Sequence, residues 1–285
     1  MKLVKLHQHH LQVKKESSIS LTRKAFHNRK LTREKLMASW GKLTFAQKKC
    51  VSATGKLMQQ TEMVSHGARI GVAASGGVDS FLMLKVLTIR KAIMPFPVEL
   101  MALHVNAGFN PTSHAPLVDW CADHGIPAHI ELTEYGPRAH SDENRKNSPC
   151  FYCSMLRRKR LFEMCRDYGL THLAFGHNAD DNVVTFFMNV LHNGRATGMS
   201  ANDSFFGGTL NVIRPTMLLD KKTVIKASKQ WKLPVWENIC PSNGNTKRDE
   251  VHNWLRQTWK NDKRIKNNVF NAITRQQVDL TSKKV

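Results

Sequence analysis

The stretch that most constrains this chain is a short apolar run that passes directly into a glycine turn and then into a helix. Ile70-Gly71-Val72-Ala73-Ala74 is followed by Ser75-Gly76-Gly77-Val78-Asp79-Ser80, and apolar-rich, helix-forming residues continue to Ile89. A strand that feeds a helix in this way is the opening of a βα unit. The two glycines remove Cβ atoms that would block approach, and the N–H groups and positive dipole end at the head of the helix converge on one point. Such a place binds phosphate, and the Ser75 and Ser80 hydroxyls can add donors. The loop is neither a Walker sequence, which ends in Gly-Lys-Ser or Gly-Lys-Thr, nor the Gly-x-Gly-x-x-Gly dinucleotide fingerprint.

The rest of the chain extends the pattern. Strand-like segments at 98–105, 127–132, 173–175 and 212–214 alternate with helix-like segments at 115–124, 150–168, 180–191 and 222–231. Alternation at this spacing predicts an α/β fold with a doubly wound parallel sheet. Residues 135–149 are polar and charged and are expected to form a mobile loop that serves a site. Residues 1–66 lack strand-like alternation, and the 31–39 stretch, with Thr32 as a cap, suits a helix, so this part reads as a loosely held helical arm.

Charge divides the chain the same way. There are 43 Lys and Arg against 22 Asp and Glu, a formal net charge of +21. Residues 1–66 hold 14 basic against 3 acidic side chains, residues 67–250 hold 21 against 17, and residues 251–285 hold 8 against 2. A nearly neutral body with basic ends predicts a polyanionic partner, nucleic acid first. No apolar run is long enough to span a bilayer, and Met1-Lys2-Leu3-Val4-Lys5 is followed by His and Gln rather than by the apolar core of a signal peptide. Six cysteines without a disulfide-framework spacing point to a reducing cytoplasm. The expected organisation is a basic helical arm at 1–66, a catalytic body at 67–258 and a basic tail at 259–285.

Two further groups of residues carry chemistry. Gly176-His177-Asn178-Ala179-Asp180-Asp181-Asn182 follows the 173–175 strand and opens a helix, where adjacent carboxylates can point to opposite sides of a bound metal and phosphate, or one of them can cap. Cys150-Phe151-Tyr152-Cys153 starts a helix after Ser148-Pro149, which puts both sulfurs on one face, where the helix dipole is expected to lower the thiol pKa. Cys240, in Ile239-Cys240-Pro241, is the remaining cysteine in a loop-like setting that can reach the same pocket. Three thiolates fall short of a closed zinc site. They suit either an iron–sulfur cluster with one open iron or a redox pair with a persulfide carrier. Cys50, Cys121 and Cys165 read as buried small hydrophobes.

Ser-Gly-Gly-x-Asp-Ser resembles the PP-loop of the ATP pyrophosphatase superfamily, whose fold is of the adenine nucleotide α-hydrolase type and whose members split ATP between the α and β phosphates. The resemblance implies that Ser75, Gly76, Gly77, Asp79 and Ser80 cradle the phosphates and that His104, in His104-Val105-Asn106-Ala107-Gly108, belongs to a second nucleotide-contact segment. Gly176, His177, Asp180 and Asp181 are similar to the Gly-His-x-x-Asp-Asp segment of PP-loop enzymes that modify tRNA. There the acids serve Mg-ATP, which implies that Asp181 acts in adenylation, with Asp180 as metal or cap partner. The order of PP-loop, CxxC followed by Leu156-Arg157-Arg158, Gly-His-x-x-Asp-Asp, Ile213-Arg214-Pro215 and a late cysteine is similar to the tRNA-cytidine 2-sulfurtransferase (TtcA-like) family over roughly residues 67–258.

That resemblance implies an ATP-dependent enzyme that adenylates O2 of a tRNA pyrimidine and replaces it with sulfur, giving 2-thiocytidine first and 2-thiouridine second. It implies Mg2+ and a [4Fe-4S] cluster held by Cys150, Cys153 and Cys240, with Cys150 and Cys153 in the catalytic set. Its partners would be tRNA, through Arg157 and Arg158 among others, and a sulfur donor, either sulfide or a cysteine desulfurase, with a homodimer left open. Two positions depart from the pattern: Val78 stands where cytidine thiolases usually have Lys, and Glu237 stands where they usually have the first cysteine of a second CxxC. The alternatives are a tRNA-lysidine-synthase-like ligase, which needs no cysteine, and a non-catalytic RNA-binding protein with a vestigial nucleotide site.

Overall fold

The computed structural model describes residues 40–282, except 238, 243, 245 and 261. Helix α1 (Phe45–Gln60) precedes strand β1 (Arg69–Ala73), which leads through the glycine loop into α2 (Val78–Ile93). Then come β2 (Glu99–Asn106), α3 (Ala115–Asp123), β3 (Ala128–Leu132), the short α4 (Tyr135–Ala139) and α5 (Pro149–Asp167). The remainder is β4 (His172–Ala174), α6 (Ala179–Asn193), β5 (Asn202–Phe205), β6 (Leu210–Ile213), α7 (Lys221–Gln230), α8 (Lys247–Lys260) and α9 (Lys263–Ser282).

The six strands lie in the order β3-β2-β1-β4-β6-β5, all parallel to their neighbours except β5, which runs antiparallel to β6. This is the expected doubly wound α/β sheet. Its strands are apolar on both faces because helices cover both: on β2, Ala102 packs with Leu57, Phe81, Leu84 and Trp120, while Leu103 packs on the other side with Leu161, Met164 and Leu173. The chain winds outward from β1 to β2 and β3 on one side and from β4 to β6 on the other. The crevice at the carboxyl ends of β1 and β4 is therefore the switch point where such sheets bind ligands.

The structure departs from the sequence expectations at four places. Residues 45–60 are not loosely held. A capping box starts α1, with the Gln47 N–H donating to Thr44 Oγ1 at 3.4 Å and the Thr44 N–H to Gln47 Oε1 at 2.9 Å, and Cys50 and Val51 are fully buried against α2 and α7. Burying Val51 and Leu57 alone contributes on the order of 3–6 kcal/mol, so this helix belongs to the body. The 31–39 stretch and its Thr32 cap lie outside the described residues.

Parts of α8 and α9 are likewise packed. Val251 and Leu255 of α8 and Ile273 of α9 are buried against Val183 and Val184 of α6. The polar 135–149 segment begins with α4 and is then tied down by Asn144, whose Nδ2 donates to the carbonyls of Ala139 at 3.0 Å and Asn147 at 2.8 Å. Finally, β5 was not foreseen, because Asn202-Asp203-Ser204-Phe205 is an edge strand with no buried face. Among the described residues, no helix is long and apolar enough to cross a membrane.

Candidate nucleotide and thiol site

The loop between β1 and α2 has the conformation its glycines suggest. Gly76 sits at φ +89°, and a Cβ there would lie 2.2 Å from the indole of Trp236. The Trp236 backbone N–H also donates to the Gly76 carbonyl at 3.1 Å, so the 233–237 segment lies over the loop. Gly77 is the N-cap of α2, with no side-chain cap, so the first-turn N–H groups are left for an anion. The Ser80 hydroxyl accepts from the Ser75 N–H at 3.1 Å and donates to the Gly77 carbonyl at 2.9 Å, which knits the loop together.

The acidic segment lies against this loop. A Cβ on Gly176 would come within 2.9 Å of the Asp79 carbonyl, so only glycine allows the two segments to approach this closely. Asn178 caps α6: the Asp181 N–H donates to Asn178 Oδ1 at 3.1 Å, and Asp181 Oδ2 accepts from the Asn178 N–H at 3.0 Å. The Asn178 Nδ2 crosses to Asp79 Oδ1 at 2.9 Å.

The cap partner is therefore Asp181 and not Asp180, the reverse of the sequence expectation. The N3 position lets a carboxylate reach back to the N-cap N–H, and the N2 position of Asp180 does not. Asp181 Oδ1 is ion-paired with Arg248 of α8 at 2.6 Å. Asp180 accepts from the Lys221 N–H at 2.7 Å and is ion-paired with Lys266 of α9, while Asp79 is ion-paired with Lys221 of α7.

Two histidines stay neutral beside these loops. His104 donates from Nδ1 to the Ala74 carbonyl at 2.6 Å, which leaves Nε2 as an acceptor that is buried without a partner among the described residues. Burial pushes its pKa down to about 4, against the opposing pull of the Ala74 bond. His177 is also pushed down to about 4, by burial first, with Asp181 opposing and Arg214 adding to the shift.

A cavity of about 90 Å3, lined by His104, Asn106, Phe109, Cys153, Arg157 and Cys240, joins the end of β2 to the thiols. Arg157 is the one arginine of its run that lines this cavity. Arg158 and Lys159 are exposed, and Arg160 is ion-paired with Glu131 at 2.7 Å and Glu163 at 3.0 Å.

The helix dipole does not decide the thiol chemistry. Burial raises the pKa of Cys150 and of Cys153, and desolvation of a thiolate outweighs the dipole of one helix turn. The neighbouring thiol of Cys240 raises both further, and Arg157 pulls Cys153 back. Cys153 and Cys240 line the same cavity, and the Cys150 thiol, one turn before Cys153 on α5, reaches the Ser242 carbonyl at 3.9 Å, two residues past Cys240. Cys50, Cys121 and Cys165 are buried elsewhere with pKa values pushed up to about 12.

Among the described residues, no group of three or more His, Cys, Asp or Glu side chains is gathered tightly enough to hold a metal ion. For Asp180 and Asp181 the reason is visible, since lysine and arginine occupy the places an ion would take. For the thiols, a four-iron cube spreads its cysteine ligands wider than a single ion does. Trp236, Asn178 and Lys221 were not foreseen as site residues. Only Asn178 had a local signal, as an N-cap type three residues before an acid.

Comparison with known proteins agrees with this picture. The family profile of the PP-loop domain (ATP_bind_3) matches residues 47–262. A tRNA-cytidine(32) 2-sulfurtransferase of Bordetella avium is 31% identical over 235 residues, covering 80% of this chain and 73% of that protein. A protein of the same description from Citrifermentans bemidjiense is 27% identical over 222 residues, covering 77% of this chain and 87% of that one. Among solved structures, the U34-tRNA thiolase NcsA from Methanococcus maripaludis with its [4Fe-4S] cluster superposes at a TM-score of 0.64 and 22% identity, over 81% of this chain and 80% of that one, which shows a shared fold.

Proposed function

We propose a function that proceeds from one fact: this chain belongs to the PP-loop domain family. It is an ATP-dependent tRNA 2-thiolation enzyme that adenylates O2 of a tRNA pyrimidine and replaces the oxygen with sulfur, with cytidine as the preferred base. Its relatives described as tRNA-cytidine(32) 2-sulfurtransferases support the reaction and the base. The observation that carries the reading is the cavity that Cys153 and Cys240 share with His104, one strand away from the phosphate loop.

ATP lies with its pyrophosphate portion against Gly76, Gly77 and the first turn of α2, where Ser75, Ser80 and backbone N–H groups meet its oxygens. The pyrimidine O2 attacks the α-phosphorus, the bond to the β-phosphate oxygen breaks and pyrophosphate leaves. A sulfur nucleophile then displaces AMP from C2. Asp181 keeps Oδ2 on the α6 cap. Mg2+, when bound, would shield the phosphate charge, and Asp180 and Asp181 would be its holders only where Lys266 and Arg248 give them up.

The donor set fits a [4Fe-4S] cluster: three neighbouring thiols with no fourth would leave one iron open. Cys150, Cys153 and Cys240 would hold it, and when bound it carries the incoming sulfur. His104 is kept neutral by burial, its Nδ1–H bond to the Ala74 carbonyl fixes the tautomer, and Nε2 is offered as an acceptor in the wall between the nucleotide and the thiols. Sulfide, free or delivered by a cysteine desulfurase, is the sulfur source, and the cytoplasm is where reduced thiols and tRNA meet.

Purification without oxygen tests the reading. Iron and acid-labile sulfide near four of each per chain, with a broad visible charge-transfer band, are expected. A colourless, iron-free protein that still thiolates tRNA would contradict it.

The basic N-terminus grips the RNA in this account. Residues 1–39 carry 10 Lys and Arg against 2 acids, and the deletion must stop before α1 because α1 is core. Removing them is expected to weaken tRNA binding about tenfold or more near 0.1 M salt, to flatten its salt dependence, and to leave ATP affinity within about twofold. Filter binding over a salt series reads the first two, and equal losses for tRNA and ATP would contradict it.

A further inference from the structure

The phosphate loop has no cation of its own. Ser75-Gly76-Gly77-Val78-Asp79-Ser80 offers N–H groups, hydroxyls and one carboxylate, and Val78, the first residue of α2, brings no charge. A polyphosphate placed there would meet the negative charge of Asp79 at the head of α2 with only neutral donors to offset it. A lysine nevertheless reaches the loop from 142 residues away: Nζ of Lys221, the first residue of α7, is ion-paired with Asp79 Oδ2.

Lys221 is tied to both segments that flank the switch point. Its N–H donates to Asp180 Oδ2 at 2.7 Å, and Asp220, just before it, caps α7 by accepting from the Thr223 N–H at 2.8 Å. The helix start is thus fixed, and the flexible side chain is aimed at the loop. The ammonium group has three donors, so it can keep Asp79 and still give a hydrogen bond to a phosphate oxygen. Lys222, next in sequence, is exposed and makes no ion pair among the described residues.

We propose that Lys221 is the phosphate-contacting cation of the nucleotide site, supplying from α7 the charge that the loop lacks at Val78 and contacting the pyrophosphate portion of ATP. This rests on the nucleotide-site reading above and assigns that site its cation. The contact is to the β and γ phosphates, because Asp79 belongs to the glycine loop that cradles them. Affinity for ATP and for inorganic pyrophosphate therefore depends on Lys221, and affinity for AMP does not.

Calorimetric titration of the full chain with Mg-ATP, inorganic pyrophosphate and AMP tests this on wild type, Lys221→Met, Lys222→Met and the double variant Lys221→Met/Val78→Lys. Lys221→Met is expected to weaken ATP and pyrophosphate about tenfold or more, the loss of one charge-assisted hydrogen bond, with AMP unchanged within about twofold. Lys222→Met makes the same change in net charge and is expected to stay within about twofold throughout. The lysine at position 78 is expected to recover most of the lost affinity.

If Lys221→Met lowers the melting temperature appreciably, Lys221→Gln, with a similar stem and no charge, takes its place. ATP affinity equal to wild type in Lys221→Met or Lys221→Gln, or an equal loss in Lys222→Met, would overturn the assignment. A wild-type protein that binds neither ATP nor pyrophosphate would instead overturn the nucleotide-site reading, and the assignment with it.

Discussion

Cys240→Ala is expected to lower tRNA thiolation by at least ~10^3-fold while leaving ATP affinity within about twofold. Cys240 is half-buried in a loop, its thiol perturbs those of both Cys150 and Cys153, and it lines the cavity that reaches His104. Three thiols that act as one ligand set fail together, so Cys150→Ala and Cys153→Ala should each be as damaging as the triple variant. Iron content is expected to fall with activity in all four proteins.

The control is internal. Cys50 is fully buried under α2 and α7, with its pKa pushed up to about 12, so it remains a protonated packing group. Cys50→Ala should cost about 1 kcal/mol of stability or slightly more and leave the rate intact. A Cys240→Ala protein with wild-type thiolation, or a Cys50→Ala protein that folds normally but has lost it, would contradict this division of the cysteines.

Gly76→Val is expected to destabilise the fold by about 2–5 kcal/mol and to weaken ATP binding by at least ~100-fold. Two costs combine: a β-branched residue at φ +89°, and a Cβ 2.2 Å from the Trp236 ring. Replacing Trp236 with alanine in the same chain removes the collision but not the backbone strain, so only part of the stability should return. Gly77→Ala separates the effects, because Gly77 has an ordinary φ of −75° and its Cβ would meet only Ser75 Oγ at 3.7 Å. That variant should melt within a few degrees of wild type. Thermal denaturation with and without Mg-ATP reads both effects, and a Gly76→Val protein as stable as wild type would show that Trp236 does not cover the loop.

What could be read from the chain was local chemistry. The apolar run at 70–74, the paired glycines and the helix after Val78 define the central βα unit without reference to anything distant. The Gly176 to Asp181 segment announces a helix start beside it. Parallel winding follows from that alternation, because βα units can only stack one way.

What could not be read depends on contacts through space. The edge strand β5 has no buried face to pattern it, and α1 shows only its capping box, with its packing partners in α2 and α7. Lys221 meets Asp79 across 142 residues, and Trp236 meets Gly76 with no signal in either segment. Burial also reversed the sign expected for the Cys150 and Cys153 thiols, because desolvation is set by the fold and the helix dipole by the local sequence. The Asp180 and Asp181 pair opens α6 as its sequence suggests, but which of them caps the helix had no local signal, and neither had their ion pairs, because Lys266 comes from the tail and Arg248 from a helix of the body that the alternation did not reveal.

The most direct test of the central claim is mass spectrometry of nucleosides from tRNA incubated with the cluster-loaded full chain, sulfide and Mg-ATP. The account predicts 2-thiocytidine that appears only when ATP is present and is absent with the Cys240→Ala protein. Lysidine among the products, or a nucleoside profile that does not change when ATP and protein are both supplied, would contradict it.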